Sequence, residues 1–431
     1  MSISRRNFIV KAALAAPALT LGSLSVLAQK SAAAEIRIGA IGLHNMGWSN
    51  LQSILKIPGV CCTAICDIDD SVLQQRRAQL KKLEQYPKIY HDYVALLADS
   101  EVDAVLIATP DHWHCLMMVD ACQAGKHVYV EKPIANSIVE CNRMIEAKDR
   151  YDSIVQVGQW QRSQAHFRRA VEFVHSGKLG DIRLVKSWAY LGWKERVPVK
   201  PDQPVPTGVD YKGWLGPAES RPFNPNRFHY DFRWYWDYAG GLMTDWGVHL
   251  LDYALLGMKV SDPISIMASG GKFAYPNDAG ETPDTLTAVY EFDGFNIQWE
   301  HATGISGGPY QREHGVAFIG NNGTLVLDRN GWEVIPEEGK MEALPVQPRT
   351  DNGLDLHMQN FVEAIRRNDP SILHAPIEAG AHIAKFSQMG NIAYRTGRKI
   401  KWDSSKQRFA DAAANRLLSA PYHNGYRLPQ V

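Results

Sequence analysis

The sequence predicts an α/β fold with two domains, in which a doubly wound parallel sheet comes first and an α+β domain with a large, mostly antiparallel open sheet follows. Residues 35–157 alternate short apolar runs with helical patterns, which is typical of a parallel sheet wound with helices. Beyond residue 157, strand-like runs follow one another closely with turn residues between them, which favours antiparallel pairing. A chain of 431 residues, 45% of them apolar, is long enough to bury both cores.

The first domain is predicted to contain five strands and five helices. The strands span residues 36–41, 60–66, 104–108, 127–130 and 154–157. The helices span residues 46–56, 70–83, 93–97, 111–124 and 137–149. Gly125 directly follows the fourth helix, where a glycine serves as a C-terminal cap.

The second domain is predicted to contain six strands, at residues 183–190, 263–268, 285–292, 295–301, 316–319 and 324–328. Asp293-Gly294 and Asn321-Asn322-Gly323 are hairpin turn signals between them. Residues 196–226 hold seven of the 23 prolines, so they form a long irregular connection, and such connections are often functional. Two helices, at residues 354–367 and 378–396, follow the strands.

Composition and charge exclude several classes of protein. The chain carries 46 basic and 46 acidic residues without a block of five basic ones, so it lacks the charge that nucleic-acid binding requires. Its one long uncharged apolar run, residues 12–28, is interrupted by Pro17 and Gly22. That run is too short and too broken for a membrane span, and its position is typical of a targeting peptide. We therefore expect no nucleic-acid partner and no membrane span.

The first 34 residues have the three parts of an export signal, which are a basic segment, an apolar stretch and small residues at a cleavage site. Residues 4–9, Ser-Arg-Arg-Asn-Phe-Ile, resemble the twin-arginine signal, although Lys11 lies one position later than usual. The sequence therefore predicts export to the periplasm or beyond through the twin-arginine route, with cleavage after Ala34. An ordinary secretory signal is the alternative.

All six cysteines lie between Cys61 and Cys141, mostly inside segments that are predicted to be strands and helices. They are predicted to be small core residues. An even number of cysteines in an exported chain also permits disulfides, but a chain of this length does not require them.

Metal-ligand patterns are weak in this sequence. No Cys-x-x-Cys pair is present, so a cysteine zinc site is unsupported. His112 and His114 are separated by one residue, but they begin a predicted helix and no third ligand lies nearby in the sequence. We therefore expect no metal.

The turn after the first predicted strand has the pattern of a dinucleotide-binding loop. Gly42 and Gly47 occupy the outer positions of Gly-x-Gly-x-x-Gly, and His44 replaces the middle glycine. Such a turn lets a pyrophosphate rest on the amide groups at the start of the next helix. The candidate cofactor contacts in this loop are Gly42, His44, Asn45, Met46 and Gly47.

Asp67 ends the second predicted strand, 20 residues after Gly47. A carboxylate at this position accepts hydrogen bonds from the hydroxyls of the adenosine ribose and repels a 2′-phosphate. No arginine follows Asp67 directly, so the sequence favours NAD over NADP as the cofactor. A helix cap or a surface acid is the alternative role for this residue.

Two later segments reach the same edge of the sheet. Thr109, Pro110 and His114 follow the third strand, and Glu131 and Lys132 follow the fourth. Because open α/β sheets bind ligands at the carboxyl ends of their strands, these five residues are candidate cofactor contacts. A lysine beside a bound nicotinamide can also hold a substrate hydroxyl and favour its deprotonation. A surface lysine is the alternative.

Asp245 and His249 are the candidate acid–base pair of the second domain. They lie four residues apart in a predicted helix, so their side chains share one face. A carboxylate neighbour orients a histidine ring and stabilises its charged form, which suits a general base near neutral pH. A structural ion pair is the alternative for these two residues taken alone.

Together, the glycine loop, the Glu131-Lys132-Pro133 segment and the Gly-Gly-x-x-x-Asp-x-x-x-His segment at residues 240–249 resemble the Gfo/Idh/MocA family of NAD(P)-dependent oxidoreductases. The similarity extends from residue 35 to about residue 402. With the signal at 1–34, the resemblance implies a Rossmann domain at 35–157, a substrate and oligomerisation domain at 158–402 and a C-terminal tail at 403–431.

The resemblance also implies roles for individual residues. Lys132, Asp245 and His249 match the catalytic residues of the family, in which the histidine takes the proton of the substrate hydroxyl. The site is implied to lie in the cleft between the domains. A homodimer or homotetramer is implied as well, because the open sheet of this family often mediates assembly.

Signals for the substrate are weaker. Six of the 12 tryptophans fall within residues 188–246, and aromatic faces with polar neighbours suit pyranose rings. Core packing and an oligomer interface are the alternative for most of them. The candidate substrate contacts are Arg162, Tyr190, Trp193 and Arg233, together with Asp245 and His249.

These features predict an exported oxidoreductase that transfers a hydride between NAD and a sugar, a sugar derivative or a cyclic polyol. Because no dinucleotide pool exists outside the cytoplasm, the NAD is expected to stay tightly bound and to be recycled on the enzyme. The first alternative is a redox-neutral glycosidase, lyase or epimerase, although related NAD-dependent glycosidases tend to lose the lysine that Lys132 retains. A non-catalytic carbohydrate-binding protein is the second alternative, and the retention of all three catalytic residues argues against it.

Overall fold

The computed structural model describes residues 35–431, so the predicted export signal lies outside the described residues. The strands of the first domain are β1 (Ile36–Ile41), β2 (Val60–Cys66), β3 (Lys88–Tyr90), β4 (Ala104–Ile107), β5 (His127–Val130) and β6 (Val155–Val157). Its helices are α1 (Asn45–Ile54), α2 (Asp70–Lys81), α3 (Tyr93–Leu97), α4 (Asp111–Gln123) and α5 (Ile138–Tyr151).

The six strands form one parallel sheet in the order β3-β2-β1-β4-β5-β6. Every residue of the central strand β4 is buried, as expected for a parallel sheet that helices cover on both faces. The predicted doubly wound sheet is confirmed, and one strand is added to it. The additional strand, β3, has only three residues and lies half exposed at the edge, so it has no apolar run to predict it.

The second domain is built around a ten-stranded sheet. Its strands are β7 (Ile182–Leu191), β8 (Ser265–Gly271), β9 (Thr285–Glu291), β10 (Asn296–Thr303), β11 (His314–Gly320), β12 (Gly323–Leu327), β13 (Gly331–Pro336), β14 (Leu344–Pro348), β15 (Ile400–Asp403) and β16 (Arg408–Phe409). Their order is β14-β13-β12-β11-β7-β10-β9-β8-β15-β16, and only β7 and β10 pair in parallel. The predicted large and mostly antiparallel sheet is confirmed.

The sequence pattern does not predict strands β13 to β16, and β14 shows the reason. This strand includes Pro345 and Pro348, and a proline cannot donate a hydrogen bond to a neighbouring strand. The structure places β14 at the edge of the sheet, where such donors are not needed.

Seven helices follow the first domain. They are α6 (Ala165–His175), α7 (Tyr211–Leu215), α8 (Gly241–Asp245), α9 (Gly247–Met258), α10 (Gly353–Arg367), α11 (Ile377–Thr396) and α12 (Ala412–Asn415). Helices α9 and α11 pack on one face of the large sheet, where Trp299, Tyr290 and Phe318 are fully buried. None of the helices in residues 35–431 is both long and apolar enough to cross a membrane.

Helices α10 and α11 also complete the core of the first domain. Met358 and Phe361 of α10 are buried against Ile38 and Leu51, and α10 packs on α1. Helix α11 packs on α5 and contributes Ile377 to the other face of the parallel sheet. Helices that follow β14 in the chain therefore complete both faces of the first domain.

The six cysteines are free thiols. Cys61 is half-buried and the other five are buried. They pack as small apolar residues, as the sequence predicts.

Candidate cofactor and active site

A cavity of about 530 Å³ opens at the carboxyl ends of the parallel strands. The glycine loop, the end of β2, the turn before α4 and the end of β5 form one wall. Residues of the second domain and Tyr426 near the C-terminus form the opposite wall. The sequence-predicted cofactor residues that line the cavity are Gly42, His44, Asn45, Met46, Asp67, Thr109, Pro110, His114, Glu131 and Lys132.

Gly42 holds the glycine loop close to the neighbouring strand. Its φ is +81°, and a Cβ there would lie 2.8 Å from the carbonyl oxygen of Ala108. Gly47 lets the start of α1 approach the loop, since a Cβ on it would lie 1.9 Å from the carbonyl oxygen of Gly42. The free amide groups at the start of α1 therefore face the cavity with no side chain capping them, which suits a pyrophosphate.

His44 is the residue directly before α1. Its Nε2 is buried and has no hydrogen-bond partner among the described residues. Its ring lies 4.1 Å from the ring of His229, centroid to centroid, and His229 Nε2 lies 3.1 Å from Asp69 Oδ2. A side chain larger than glycine fits the loop because it turns toward the second domain and packs on His229.

Asp67 is buried at the end of β2. Its Oδ2 accepts a hydrogen bond of 2.8 Å from the amide of Leu43, and its Oδ1 accepts one of 3.2 Å from the amide of Asp69. Burial raises the pKa of the Asp67 carboxyl, and the Leu43 amide opposes that rise. The carboxyl group thus fixes the glycine loop and lines the cavity.

Asp67→Asn is expected to weaken the discrimination against NADP. The amide keeps an acceptor for the Leu43 amide but removes the negative charge that repels a 2′-phosphate. We expect the ratio of NADP to NAD released from the purified variant to rise about tenfold, a difference of about 1.4 kcal/mol. Chromatography of the released nucleotides measures it. Asp92→Asn on the same cavity wall is the control, and an unchanged ratio in Asp67→Asn would contradict the assignment.

The ammonium group of Lys132 pairs with Asp245 across the cleft. Its Nζ donates hydrogen bonds of 2.7 Å to Asp245 Oδ1 and 3.0 Å to the Asp245 carbonyl oxygen. The Nε of Arg233 lies 3.4 Å from the same Oδ1. Burial alone would raise the pKa of the Asp245 carboxyl, but Lys132 and Arg233 hold it well below its usual range. Asp245 is therefore a firmly ionised carboxylate that holds two cations.

His249 is buried beside this ion pair. Burial lowers its pKa well below the usual value, and the positive charges of Lys132 and Arg329 lower it further. Its Nδ1 is buried and has no partner among the described residues, which leaves Nε2 as the accessible nitrogen. The ring is therefore neutral and can accept a proton on Nε2.

The structure arranges Asp245 and His249 differently from the predicted pair on one helix face. Helix α8 ends at Asp245 and α9 begins at Gly247, so Trp246 interrupts the predicted single helix. No hydrogen bond joins the side chains of Asp245 and His249. Asp245 orients Lys132 rather than the histidine.

Two family models match the chain. The NAD-binding Rossmann fold of the GFO_IDH_MocA oxidoreductase family matches residues 36–159, and the C-terminal alpha/beta domain of that family matches residues 185–428. The chain belongs to the Gfo/Idh/MocA family. It is therefore a member of an oxidoreductase family with an NAD-binding Rossmann domain.

Several curated relatives in this family resemble the chain. The uncharacterized oxidoreductase YrbE of Bacillus subtilis (strain 168) is 26% identical over 298 residues, which are 69% of this chain and 74% of YrbE. Myo-inositol 2-dehydrogenase of Thermotoga maritima is 24% identical over 59% of this chain and 64% of its own. A glycosyl hydrolase family 109 protein of Shewanella baltica (strain OS185) is 28% identical over 35% of this chain. That match spans 38% of the hydrolase, well under half its length.

Solved structures share the fold of this Gfo/Idh/MocA chain. The aldose-aldose oxidoreductase of Caulobacter crescentus, complexed with glycerol, has a TM-score of 0.63 at 20% identity and covers 85% of this chain and 99% of its own. Levoglucosan dehydrogenase, in complex with NADH and levoglucosan, has a TM-score of 0.64 at 16% identity, with coverage of 85% and 99%. At these identities the likeness shows the fold.

The remaining predicted cofactor contacts have structural partners as well. His114 is buried with Nδ1 2.7 Å from the carbonyl oxygen of Pro133 and Nε2 2.8 Å from that of Thr109, and burial lowers its pKa to about 4. Glu131 accepts a hydrogen bond from Asn50, and burial raises its pKa. His114 joins the segments that follow β4 and β5, Glu131 joins the end of β5 to α1, and both residues line the cavity.

The four candidate substrate contacts have different positions. Arg233 lines the cavity and reaches Asp245. Arg162 forms an ion pair with the buried Asp252 through two of its nitrogens. Tyr190 donates a hydrogen bond to Glu300 on the face of the large sheet opposite α9, and Trp193 is half exposed. The structure brings only Arg233 together with the catalytic residues and the cavity lining.

Asp111 lines the cavity, although its position at the start of a helix indicates only a capping role. Pro110 is the residue before α4, so Asp111 is the first residue of the helix and its carboxyl group is free to line the cavity. Burial raises the pKa of Asp111 to about 7, although Arg233 and Lys132 oppose the rise. A buried carboxyl that titrates near neutral pH could not be inferred from its position in the sequence.

Asp111→Asn is expected to change how stability depends on pH. In the folded chain Asp111 binds its proton up to about pH 7, whereas in the unfolded chain it loses it near pH 4. The free energy of unfolding of the wild type therefore decreases as pH rises from about 4 to 7, because the unfolded chain releases this proton more readily. Asparagine does not titrate, so the variant does not show this decrease. We expect the free energy of unfolding of the variant, relative to that of the wild type, to be about 2 kcal/mol higher at pH 8 than at pH 5 in urea titrations. The exposed Asp293→Asn is the control, and a pH-independent difference would contradict this pKa.

The proline-rich connection lies across the cofactor cavity, and we call residues 196–240 the strap. Its Gly208 carbonyl accepts a hydrogen bond of 2.9 Å from the amide of Asp70, and Val209 forms a bridge with Asp69. The carbonyl of Trp214 accepts one of 3.0 Å from the Trp113 ring. The excess of prolines in the sequence indicates the strap but not which surface it covers.

The end of the chain locks the strap in place. The side chain of Asn424 donates hydrogen bonds of 2.8 Å to the carbonyls of Gly216 and Ala218. Tyr426 lines the cavity and lies edge-on to Trp113, with 5.4 Å between ring centroids. The predicted C-terminal tail thus contributes directly to the cofactor site.

Proposed function

We propose that the chain is an NAD-dependent oxidoreductase that acts on a CH–OH group of a sugar, a sugar derivative or a cyclic polyol. The observation that carries this proposal is the neutral, buried His249 beside the ion pair that joins Asp245 to Lys132, and Lys132 lines the cofactor cavity. A base, a hydrogen-bond donor for the substrate oxygen and an NAD site are the parts that alcohol oxidation requires.

The chain's own residues handle the substrate proton. Lys132 donates a hydrogen bond to the substrate hydroxyl oxygen and stabilises the negative charge that develops there. Asp245 keeps Lys132 charged and oriented, and His249 Nε2 takes the hydroxyl proton. Bound NAD would supply the acceptor for the hydride of the substrate carbon, and a second sugar or sugar derivative that is reduced in turn would regenerate it.

A carbohydrate substrate is supported by the named relatives and by the walls of the cleft. A myo-inositol dehydrogenase and a levoglucosan dehydrogenase are among the proteins that this chain resembles. Trp246 lies between Asp245 and His249 in the chain, and an aromatic face beside polar groups suits a sugar ring.

We also propose that the NAD stays bound between turnovers, as work outside the cytoplasm would require. The strap and Tyr426 cover one wall of the cavity, so release of a nucleotide requires several hydrogen bonds to open together. The twin-arginine pattern of residues 4–9 supports export of a folded chain that already carries its cofactor.

The open face of the large sheet is the proposed subunit interface of a homodimer or homotetramer. Met267 and Ile335 are exposed large apolar side chains. Their strand neighbours Ile266 and Val334 point into the core, so both lie on the face without helices. Exposed apolar side chains on a sheet face support association with a second copy.

A redox-neutral glycosidase, lyase or epimerase is the second candidate function. The match to a glycosyl hydrolase family 109 protein over 172 residues favours it. In this chemistry a ring carbon is oxidised transiently, which acidifies the neighbouring C–H group and permits elimination. Lys132 favours the first candidate, because related NAD-dependent glycosidases tend to lose this lysine.

The test is to purify the full chain, release and identify any bound nucleotide, and follow reduced-nicotinamide fluorescence while sugars, polyols and glycosides are added. We expect bound NAD that becomes reduced with at least one of them. A glycoside that disappears with no change in the redox state of the nucleotide would favour the second candidate. A chain that neither holds nor takes up a nucleotide would overturn both.

A further inference from the structure

Arg329 is a largely buried arginine without a recorded anionic partner. It lies in the turn between β12 and β13, and its side chain forms no ion pair or hydrogen bond with residues 35–431. Its Nε is buried, whereas its two terminal nitrogens remain accessible. A buried charge without a partner is costly, so such a group is usually matched by an anion.

The carboxylates next to Arg329 bind another arginine. Arg312 Nη1 lies 3.0 Å from Asp328 Oδ2, and its Nη2 binds Glu333. The second oxygen of Asp328 accepts hydrogen bonds from the amides of Asn330 and Gly331. Arg312 and the turn amides therefore pair with both carboxylates, and neither carboxylate forms an ion pair with the guanidinium of Arg329.

Two tryptophans hold the Arg329 guanidinium beside the proposed catalytic residues. The group lies 4.6 Å from the ring centroid of Trp246 and 5.5 Å from that of Trp160. Trp246 separates Asp245 from His249 in the chain, and the charge of Arg329 acts on both side chains. A substrate whose hydroxyl reaches His249 therefore has its ring within reach of Arg329.

Other polar atoms at this place also lack partners in the described chain. His314 packs edge-on against Trp246, with 5.1 Å between ring centroids, and its Nε2 is buried without a hydrogen bond. The hydroxyl of Tyr253 is also buried without a hydrogen-bond partner, and the positive charge of Arg329 lowers the pKa of this hydroxyl against the rise that burial causes. Unused donors and acceptors beside an unpaired cation are typical of a binding site whose ligand completes them.

The charge balance of the cleft favours an anionic ligand. Lys132, Arg233 and Arg329 are three cations whose charges act on Asp245, and the first two keep that carboxylate firmly ionised. Burial raises the pKa of Glu131 and Asp231, two other carboxyl groups near Lys132 and Arg233. Asp111 adds at most a partial negative charge near pH 7. The described site thus has an excess of positive charge in a place where water is largely excluded.

We propose that Arg329 binds a carboxylate of the substrate, so that the enzyme acts on sugar acids in preference to neutral sugars. The inference rests on the proposed function, since it names the substrate class of the same site. A single guanidinium edge matches a planar carboxylate of one charge with two parallel hydrogen bonds. A phosphate, with twice the charge, would need more donors than this turn provides.

The test compares matched ligands on the full chain with its bound nucleotide. The acidic probes are D-glucuronate and D-galacturonate, and the neutral probes are D-glucuronamide, D-galacturonamide, D-glucose and D-galactose. Thermal unfolding reports binding, and nicotinamide fluorescence reports oxidation. We expect at least one acid to raise the Tm and to reduce the bound nucleotide with a second-order rate constant about 30-fold above that of its neutral counterparts.

Two variants and a control examine the role of Arg329 itself. Arg329→Gln is expected to remove the preference for acids, chiefly through KM, and Arg329→Lys is expected to retain part of it because it keeps the charge without the two parallel donors. Arg395→Gln is the matched control, because Arg395 also packs on a tryptophan, 5.0 Å from the Trp236 ring centroid, but the carboxylates whose charges act on it are Asp237 and Glu281 rather than Asp245. It should leave the preference unchanged.

The outcomes separate this inference from the proposed function. If neutral sugars are bound and oxidised as well as the acids, the carboxylate assignment is wrong and the oxidoreductase stands. If an acid raises the Tm through Arg329 but the nucleotide is never reduced, the substrate class stands and net oxidation is wrong. If no acid binds better than its neutral counterpart, or Arg329→Gln keeps the preference, the inference is overturned.

Discussion

Replacing His249 by alanine is expected to lower kcat about a thousandfold while the bound nucleotide is retained. The ring is the neutral base of the proposed reaction, and loss of a positioned base costs about 10²–10⁴ in rate. His249 does not line the cofactor cavity, so the NAD content should remain at the wild-type level. Turnover of the best substrate and nucleotide content measured on the same preparation separate the two effects.

His175→Ala is the control for this prediction. His175 lies in the last turn of α6 and bonds the carbonyl of Leu256 at the protein surface. It should change neither kcat nor nucleotide content. Wild-type turnover in His249→Ala would refute the role of that ring as a base.

Gly42→Ala is expected to reduce the NAD content of the purified protein at least tenfold. The new Cβ would lie 2.8 Å from the Ala108 carbonyl oxygen and 3.0 Å from the Thr109 amide, so the loop must move away from the strand ends that line the cavity. The φ of +81° adds strain for any residue other than glycine. We expect the free energy of unfolding to fall by about 2–3 kcal/mol in a urea titration.

Gly125→Ala provides a matched control, because it introduces the same backbone strain at a positive φ without a close contact of the new Cβ. Gly125 has a φ of +70°, and a Cβ on it would meet no atom within 4 Å. This variant should lose about 1 kcal/mol of stability and keep its full nucleotide content. Equal nucleotide loss in the two variants would show that backbone strain, and not the close approach at Ala108, disturbs the site.

The parts of the fold that depend on local pattern could be predicted from the sequence. Strands such as β4 are continuous apolar runs, and a run of this kind reports burial on both faces of a parallel sheet. Strands at the edges, such as β3 and β14, lack that signal because half of their surface faces solvent or because proline replaces a donor. Whether these segments form strands therefore depends on their position in the sheet and not on residue type alone.

The candidate site shows the same limit. The cofactor residues could be predicted because a glycine turn and a strand end are close in sequence. The bond between Lys132 and Asp245 joins residues 113 positions apart, and only the resemblance to a family connects them. The i, i+4 spacing of Asp245 and His249 suggested a pair, but the Asp245 carboxylate bonds Lys132 instead. Arg329 has no motif at all, and its significance comes from the carboxylates that Arg312 has already bound.

The packing of α10 and α11 on the first domain has a consequence for the order of biosynthesis. As the chain leaves the ribosome, the parallel sheet is complete at residue 157, but its apolar faces stay open until Phe361 and Ile377 are made, about two hundred residues later. The cofactor site closes last of all, when Asn424 and Tyr426 reach the strap. A nascent chain can therefore complete its nucleotide site only after residue 426 has been made, and a fragment that stops at residue 157 should aggregate rather than fold.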